Sequence, residues 1–345
     1  MTKKILVTGG SGYFGETVVK KHLEMGDIVY ILDINKPNLT HDNLFFIECD
    51  INSESLTQKI DLGFDIVHHN VAQVPIAKNK KIFWKVNKDG MENLLKSCEA
   101  TKVKKIIYTS SSAVYGVPAR NPVLESDQPH PMEDYGMAKY EAELICEKYI
   151  KKGLDISIIR PRTIMGHGRL GIFSILFEWI YSNANIPVLN GGKNIYQFVH
   201  ADDLADACIL AALKTGSAKY NIGAEEFGSM SEVLRFLINA TKSESKIKSI
   251  PLKLAEIGMN ITSLIGISPL GPYHALMYGR SMYFDISKAK NELGFQPKYS
   301  NNQMFLESYE WYVANRESIL SQSGATSLHR KPAKQKILKL FSKIF

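Results

Sequence analysis

The stretch Val7-Thr8-Gly9-Gly10-Ser11-Gly12-Tyr13-Phe14-Gly15 decides how the first half of the chain folds. An apolar run, Lys4–Thr8, leads into it. A run with helical spacing, Tyr13–Met25, leads out, and Gly26 stops it. Gly9, Gly12 and Gly15 sit where a strand must turn sharply into a helix. Glycine permits the tight turn, lets backbone approach a diphosphate and allows close helix–strand contact. The free N–H groups and positive dipole end of the helix would then face that diphosphate. Alone, such glycine spacing also describes a plain turn; the strand before it and the helix after it make it a dinucleotide signature.

Working outward, Asp27–Ile34 reads as a second strand that carries Asp33 near its end, about 20 residues beyond the glycines. A carboxylate there accepts hydrogen bonds from the adenosine ribose and repels a 2′-phosphate. No arginine follows the glycine turn, so NAD is favoured over NADP. Further strands are expected at Leu44–Glu48, Phe64–Val71, Lys105–Ser110 and Leu154–Ile159, with helices at Trp84–Ala100 and Asp134–Lys151. Strands alternating with helices predict a Rossmann-type, doubly wound parallel α/β sheet covered on both faces. After Pro161 the rhythm loosens. Helices are expected at Ile172–Ser182, Asp203–Leu213, Met230–Thr241 and Leu252–Leu264, with short strands at Tyr196–Val199 and Tyr220–Ile222. The division that follows is a dinucleotide domain over 1–165, with elements returning from the second half. A smaller α/β substrate lobe covers 166–320, and a joint and basic tail cover 321–345.

Charge and cysteine usage bound the function. Of the net +7, six charges (Arg330, Lys331, Lys334, Lys336, Lys339 and Lys343) lie in the acid-free tail, leaving about +1 for the rest, which argues against a nucleic-acid surface. Cys49, Cys98, Cys146 and Cys208 form no CxxC pair, and His167 and His200 lie in no metal-ligand spacing. No metal is expected, the thiols should be reduced, and the chain reads as cytoplasmic. The tail could form a helix with Ile337, Leu338, Phe341, Ile344 and Phe345 on one face, suited to peripheral contact with an anionic membrane; a solubilising tail or an oligomer contact is the alternative.

The chemistry is expected at Tyr135-Gly136-Met137-Ala138-Lys139, which sets a phenol and an ammonium one helical turn apart. Of sixteen tyrosines, only Tyr135 has lysine four positions later. The cation should favour phenolate and pull the tyrosine pKa down, and Lys139 can also hold the nicotinamide ribose. Before this helix, the fifth strand ends in Thr109-Ser110-Ser111-Ser112, hydroxyls at the carboxyl edge of a parallel sheet where ligands bind.

With these motifs in place, the chain resembles an extended short-chain dehydrogenase/reductase of the NAD-dependent epimerase/dehydratase family, from about Lys3 to Trp311. The resemblance implies Ser111 as catalytic hydroxyl beside Tyr135 and Lys139, four residues before Tyr115. It implies cofactor contacts at Tyr13, Phe14, Asp50, Ile51, Val71, Ala72, Asn87 and Pro161, as well as at the glycines, Asp33, Tyr135 and Lys139. It also implies a homodimer through helices Trp84–Ala100 and Asp134–Lys151.

The chain departs from the family pattern in several places. Ser112 and Ala113 replace the Asp-Glu pair that dehydratases carry, which argues against water elimination. Tyr196 stands where nucleotide-sugar enzymes usually place a diphosphate-gripping arginine, and Thr163 where they often have asparagine. Arg162 or Arg280 could take over that grip. Ser112, Thr163, Arg162, Tyr196 and Arg280 are therefore the substrate candidates. The leading expectation is a nucleotide-sugar epimerase-type oxidoreductase acting on a secondary alcohol or ketone. The alternatives are a dehydrogenase of a hydrophobic substrate, like the 3β-hydroxysteroid dehydrogenase branch, and a non-catalytic dinucleotide-binding protein.

Overall fold

The structure, a computed structural model, describes residues 2–73, 80–251 and 279–321. The expected helix Leu252–Leu264 and the basic tail fall outside the described residues. The first strand, β1 (Lys4–Thr8), passes through the glycine turn into α1 (Tyr13–Glu24). Then follow β2 (Ile28–Asp33), β3 (Leu44–Glu48), the short α2 (Leu56–Ile60) and β4 (Ile66–His69). Next, α3 (Lys80–Phe83) runs through a π-helical turn, Trp84–Asp89, into α4 (Gly90–Ala100). The half closes with β5 (Lys105–Thr109), α5 (Asp134–Lys151) and β6 (Ile156–Pro161).

The second half contains β7 (Thr163–Met165), α6 (Phe173–Tyr181), β8 (Ile186–Leu189), β9 (Ile195–Tyr196), β10 (Phe198–His200) and α7 (Ala201–Leu213). It continues with β11 (Ala218–Ile222), β12 (Gly228–Ser229), α8 (Met230–Ala240) and β13 (Ile247–Ile250). Two helices, α9 (Ser287–Leu293) and α10 (Asn301–Ser321), complete the described chain.

Seven parallel strands form the central sheet in the order β11-β6-β5-β4-β1-β2-β3. The doubly wound sheet is therefore present, with β11 as the element returning from the second half. Strand order reverses between β1 and β4, and there the loops leaving the carboxyl edge separate to leave a ligand crevice. Every residue of β4, β5 and β6 is buried, as expected of strands covered on both faces. Helices α1, α7 and α9 bury one face of the sheet through Val18, Leu204, Cys208 and Ala289. Helices α2, α4 and α5 bury the other through Leu56, Leu94, Ala142 and Cys146. A third core, around Phe173, Phe177, Phe198, Leu234 and Phe305, packs α6, α8 and α10 together.

His68 and His69 lie inside this sheet, both 1% exposed. Burial holds the His68 ring far below the usual imidazole range and pushes His69 down to about 3, so both are neutral. His68 meets His22 at 2.9 Å, and His22 is held by Asp27 at 2.8 Å; His69 meets the Thr8 hydroxyl at 2.7 Å. The single strand read at Tyr196–Val199 is two. Gln197 separates them and turns inward, where its amide serves the Ala224 carbonyl and the Phe284 N–H. All four cysteines are buried free thiols. Among the described residues, no helix is long and apolar enough to cross a membrane.

Candidate active site

The glycine turn is packed so tightly that side chains are excluded. Gly9 has φ +70°, and a Cβ on it would lie 2.8 Å from the Val71 nitrogen. A Cβ on Gly15 would lie 2.1 Å from the Gly9 carbonyl oxygen. Gly12 caps α1 without a side-chain acceptor, so the helix opens on bare backbone. Asp33 reinforces the turn: its carboxylate accepts the Ser11 N–H at 3.2 Å and the Asn35 N–H at 3.0 Å. This bare, side-chain-free cradle at the reversal of strand order fits a dinucleotide diphosphate. Gly15→Ala is expected to abolish NAD binding, because the methyl can be accommodated only by displacing Gly9 backbone. Calorimetric titration checks this, with near-UV circular dichroism to confirm folding.

Most of the other expected cofactor residues lie at or just after the ends of β1, β3, β4 and β6. Asn87, 1% exposed on the π-helical turn, accepts the Gln73 N–H at 2.8 Å and donates to its carbonyl at 3.1 Å. It thereby fixes the stretch Val71-Ala72-Gln73 beside Gly9. Buried Ile51 packs against Gly90, and Asn93 holds the turn after β3 by donating to the Ile51 and Ser53 carbonyls at 2.7 and 3.1 Å. Asp50 is exposed at that turn and accepts the Asn52 N–H at 2.8 Å. Tyr13 and Phe14 are buried at the start of α1, and Pro161 ends β6 beside Ile222.

Ser111, Tyr135 and Lys139 come together at the ends of β5 and α5. The Tyr135 phenol, 9% exposed, is hydrogen-bonded to the Ser111 side chain, and Ser111 Oγ also accepts the Ala113 N–H at 3.1 Å. Lys139, 2% exposed, donates from Nζ to the Thr109 carbonyl at 2.9 Å and lies 4.8 Å over the Tyr108 ring. Burial pushes its amine down to about 7, against the pull of Glu143.

The expected lowering of the tyrosine pKa does not occur. Burial pushes the Tyr135 phenol up to about 12, and the cation opposing this is Arg169, not Lys139. Lys139 is turned to the strand, so its charge acts on Thr109 and Tyr108.

Sequence reading missed Glu133. It caps α5 by accepting the Tyr135 and Gly136 N–H groups at 2.8 and 2.6 Å, which fixes where the phenol enters the site. Asn70, at the end of β4, accepts the Thr109 hydroxyl at 2.7 Å and leaves its own buried Nδ2 without a partner. The signal for both was local: an acid before the helix and an amide at a strand end.

The substrate candidates form a second cluster joined to the first through Ser112. Arg162, 1% exposed, donates from Nη1 to Ser112 Oγ at 2.9 Å and lies over the Tyr196 ring at 4.5 Å. Tyr196 in turn meets the Thr163 hydroxyl at 3.0 Å. Arg280 is half-buried, two residues before Met282, which pairs with Tyr196. His167 and His200 share Glu307, at 2.6 and 3.1 Å, and among the described residues no group of three or more side chains is suited to hold a metal.

A sheet of this order, a side-chain-free turn at its reversal and a Ser–Tyr–Lys constellation define a dinucleotide-dependent short-chain oxidoreductase architecture. The chain belongs to the NAD dependent epimerase/dehydratase family, whose sequence model matches residues 5–223. It is an enzyme of that family, and its cofactor is NAD. It is 51% identical over 341 residues to the uncharacterized protein y4nG of Sinorhizobium fredii, covering 99% of this chain and 86% of that one. It is 27% identical to a putative UDP-glucose 4-epimerase of Methanocaldococcus jannaschii, covering 91% of this chain and all of that one. It is also 27% identical to the mouse (Mus musculus) sterol-4-alpha-carboxylate 3-dehydrogenase, decarboxylating, over 86% of this chain and 87% of that one. In fold it is similar to the UDP-glucose 4-epimerase of Thermotoga maritima, with a TM-score of 0.76 at 24% identity, covering 91% of this chain and 99% of that one.

Proposed function

We propose that this enzyme is a nucleotide-sugar epimerase-type oxidoreductase acting on a secondary alcohol of the sugar. One observation carries the reading: next to the Ser111–Tyr135 pair lies a polar cluster, buried Ser112, Arg162 and Tyr196 with half-buried Thr163. A neutral sterol would leave the Arg162 Nε and Nη2 groups unsatisfied, at a cost of about 1–3 kcal/mol each. A hydroxyl-rich, anionic substrate satisfies them. The absence of acids at Ser112 and Ala113 fits retention of water. Residues 1–165 with β11 are assigned to NAD, and 166–320 to the substrate.

Bound NAD supplies a hydride acceptor and donor. The protein's residues handle the proton. Ser111 Oγ holds the substrate oxygen, and Tyr135 Oη takes that oxygen's proton as the carbonyl forms and returns it when the alcohol is restored. Burial favours the neutral phenol, and the Ser111 hydrogen bond and the more weakly acting Arg169 oppose it, so the oxygen needs further positive charge to act as a base at neutral pH. Lys139 sets the floor of the site at Thr109, and its amine is expected to hold the nicotinamide ribose.

A second reading follows from Tyr196, which puts an aromatic ring where a diphosphate-gripping arginine is usual: dehydrogenation of a hydrophobic alcohol. An absorbance assay at the NADH band with UDP-sugars and sterols separates the two. Sugar interconversion without net NADH supports the proposal; NADH accumulation with a sterol refutes it.

A further inference from the structure

Two arginines of this chain meet carboxylates through the same edge of the guanidinium. Arg160 presents Nε and Nη2 to Glu143 at 3.0 and 2.5 Å. Arg316 presents the same two atoms to Glu178 at 2.9 and 2.6 Å. That planar fork matches the two oxygens of a carboxylate. Arg162 is buried as deeply as Arg160, each 1% exposed, yet its Nε and Nη2 have no hydrogen-bond partner. Its other functions are already filled. Nη1 is anchored on Ser112, and the rings of Tyr196 and Phe284 cover the guanidinium at 4.5 and 5.5 Å. Among the described residues no acid pairs with it. A buried charge left with an unpaired bidentate edge is costly unless an anion completes it.

The place of this edge narrows the anion. Ser112, the anchor, follows Ser111 directly, and Ser111 is bonded to Tyr135. The guanidinium is therefore tied to the end of the site that holds the reacting hydroxyl. In a nucleotide sugar oxidised at C4, the group beside that carbon is the C5 substituent; the diphosphate leaves from C1, across the ring. In a hexuronate the C5 substituent is a carboxylate.

We propose that the Nε/Nη2 edge of Arg162 is a receptor for a carboxylate carried on the substrate's sugar ring, so that the preferred substrate class is a nucleotide-activated hexuronate and not a neutral hexose. This rests on the nucleotide-sugar reading above. Ser112 positions the guanidinium, and Tyr196 stacks on its face and keeps water from it.

Calorimetric titration of the NAD-saturated full chain with UDP, UDP-glucose and UDP-glucuronate tests this. UDP-glucuronate is expected to bind about thirtyfold more tightly than UDP-glucose, the size of one charge-assisted bidentate contact. In Arg162→Met the ratio should collapse towards one. In Arg162→Lys it should be intermediate, because an ammonium keeps the charge but loses the fork. Should Arg162→Met fail to fold, the wild-type ratio and Arg162→Lys still decide. Equal binding of the two sugars by the wild type overturns the proposal, as does a ratio that survives both substitutions. If the substitutions weaken UDP and both sugars alike, the anion read is the diphosphate: this proposal falls and the nucleotide-sugar reading stands. If no UDP compound binds, the nucleotide-sugar reading itself fails and takes this one with it.

Discussion

Tyr135→Phe is expected to lower kcat/KM by about 10²–10⁴-fold while NAD still binds. The substitution removes only the oxygen that exchanges a proton with the substrate. The ring keeps its packing against Phe83, 6.2 Å away edge-on, and against Ala113 and Ala138. Glu133 goes on capping the helix through backbone N–H groups, which the substitution does not touch. Loss of rate with retained cofactor therefore isolates the proton-transfer role. Steady-state rates on the active UDP-sugar and a separate NAD titration check it, and unchanged turnover refutes the assignment of Tyr135.

Glu143→Ala should be the most destabilising single truncation outside the glycine turn. Glu143 is 0% exposed and Arg160 is 1% exposed. Beyond the two contacts to Arg160, Glu143 accepts the Ser110 hydroxyl at 2.6 Å. Arg160 also donates to the Tyr115 hydroxyl at 2.6 Å, and that hydroxyl reaches Asn221 at 2.9 Å. Removing the carboxylate strands a guanidinium in the core, at a cost of about 3–5 kcal/mol. The double replacement Glu143→Leu with Arg160→Met removes both charges and is expected to cost less than the single truncation. Urea unfolding followed by tryptophan fluorescence checks the order; a single truncation milder than the double one would contradict it. Function should suffer too, because Tyr135, Lys139 and Glu143 recur every four residues along one face of α5.

How far the sequence reveals this molecule depends on the range of the interaction. The strands of the central sheet are legible because β4, β5 and β6 are buried on both faces, and even His68 and His69 do not interrupt the run. Helix α5 is legible to the residue. By contrast, α10 is not legible as a helix. Its buried residues Met304, Phe305, Tyr312 and Ile319 share one face, but Leu306, Tyr309, Trp311 and Val313 spread apolar side chains around the rest, so no single apolar stripe marks it. Strands β8 and β13 pair across some sixty residues of chain, and neither has a pattern of its own.

In the site, the glycines, Asp33 and Tyr135 are legible because each belongs to a local motif, whereas Ser111 is separated from its neighbouring hydroxyls only by the family resemblance. Glu133 is not legible, because a glutamate is an uncommon helix cap and Asp134 beside it has the expected chemistry. The direction of the tyrosine pKa is not legible either, because burial outweighs a cation that, in three dimensions, points elsewhere.

In the proposed reaction, oxidation and reduction occur at one carbon of a nucleotide sugar and Tyr135 exchanges the proton. The most direct test uses UDP-sugar carrying deuterium at that carbon, with the NAD-loaded enzyme in ordinary water. The expected product is an epimer that keeps the deuterium at the same carbon, with no net NADH, formed about 10²–10⁴-fold more slowly with Tyr135→Phe. Net NADH accumulation, or an epimer whose hydrogen comes from solvent, would contradict it.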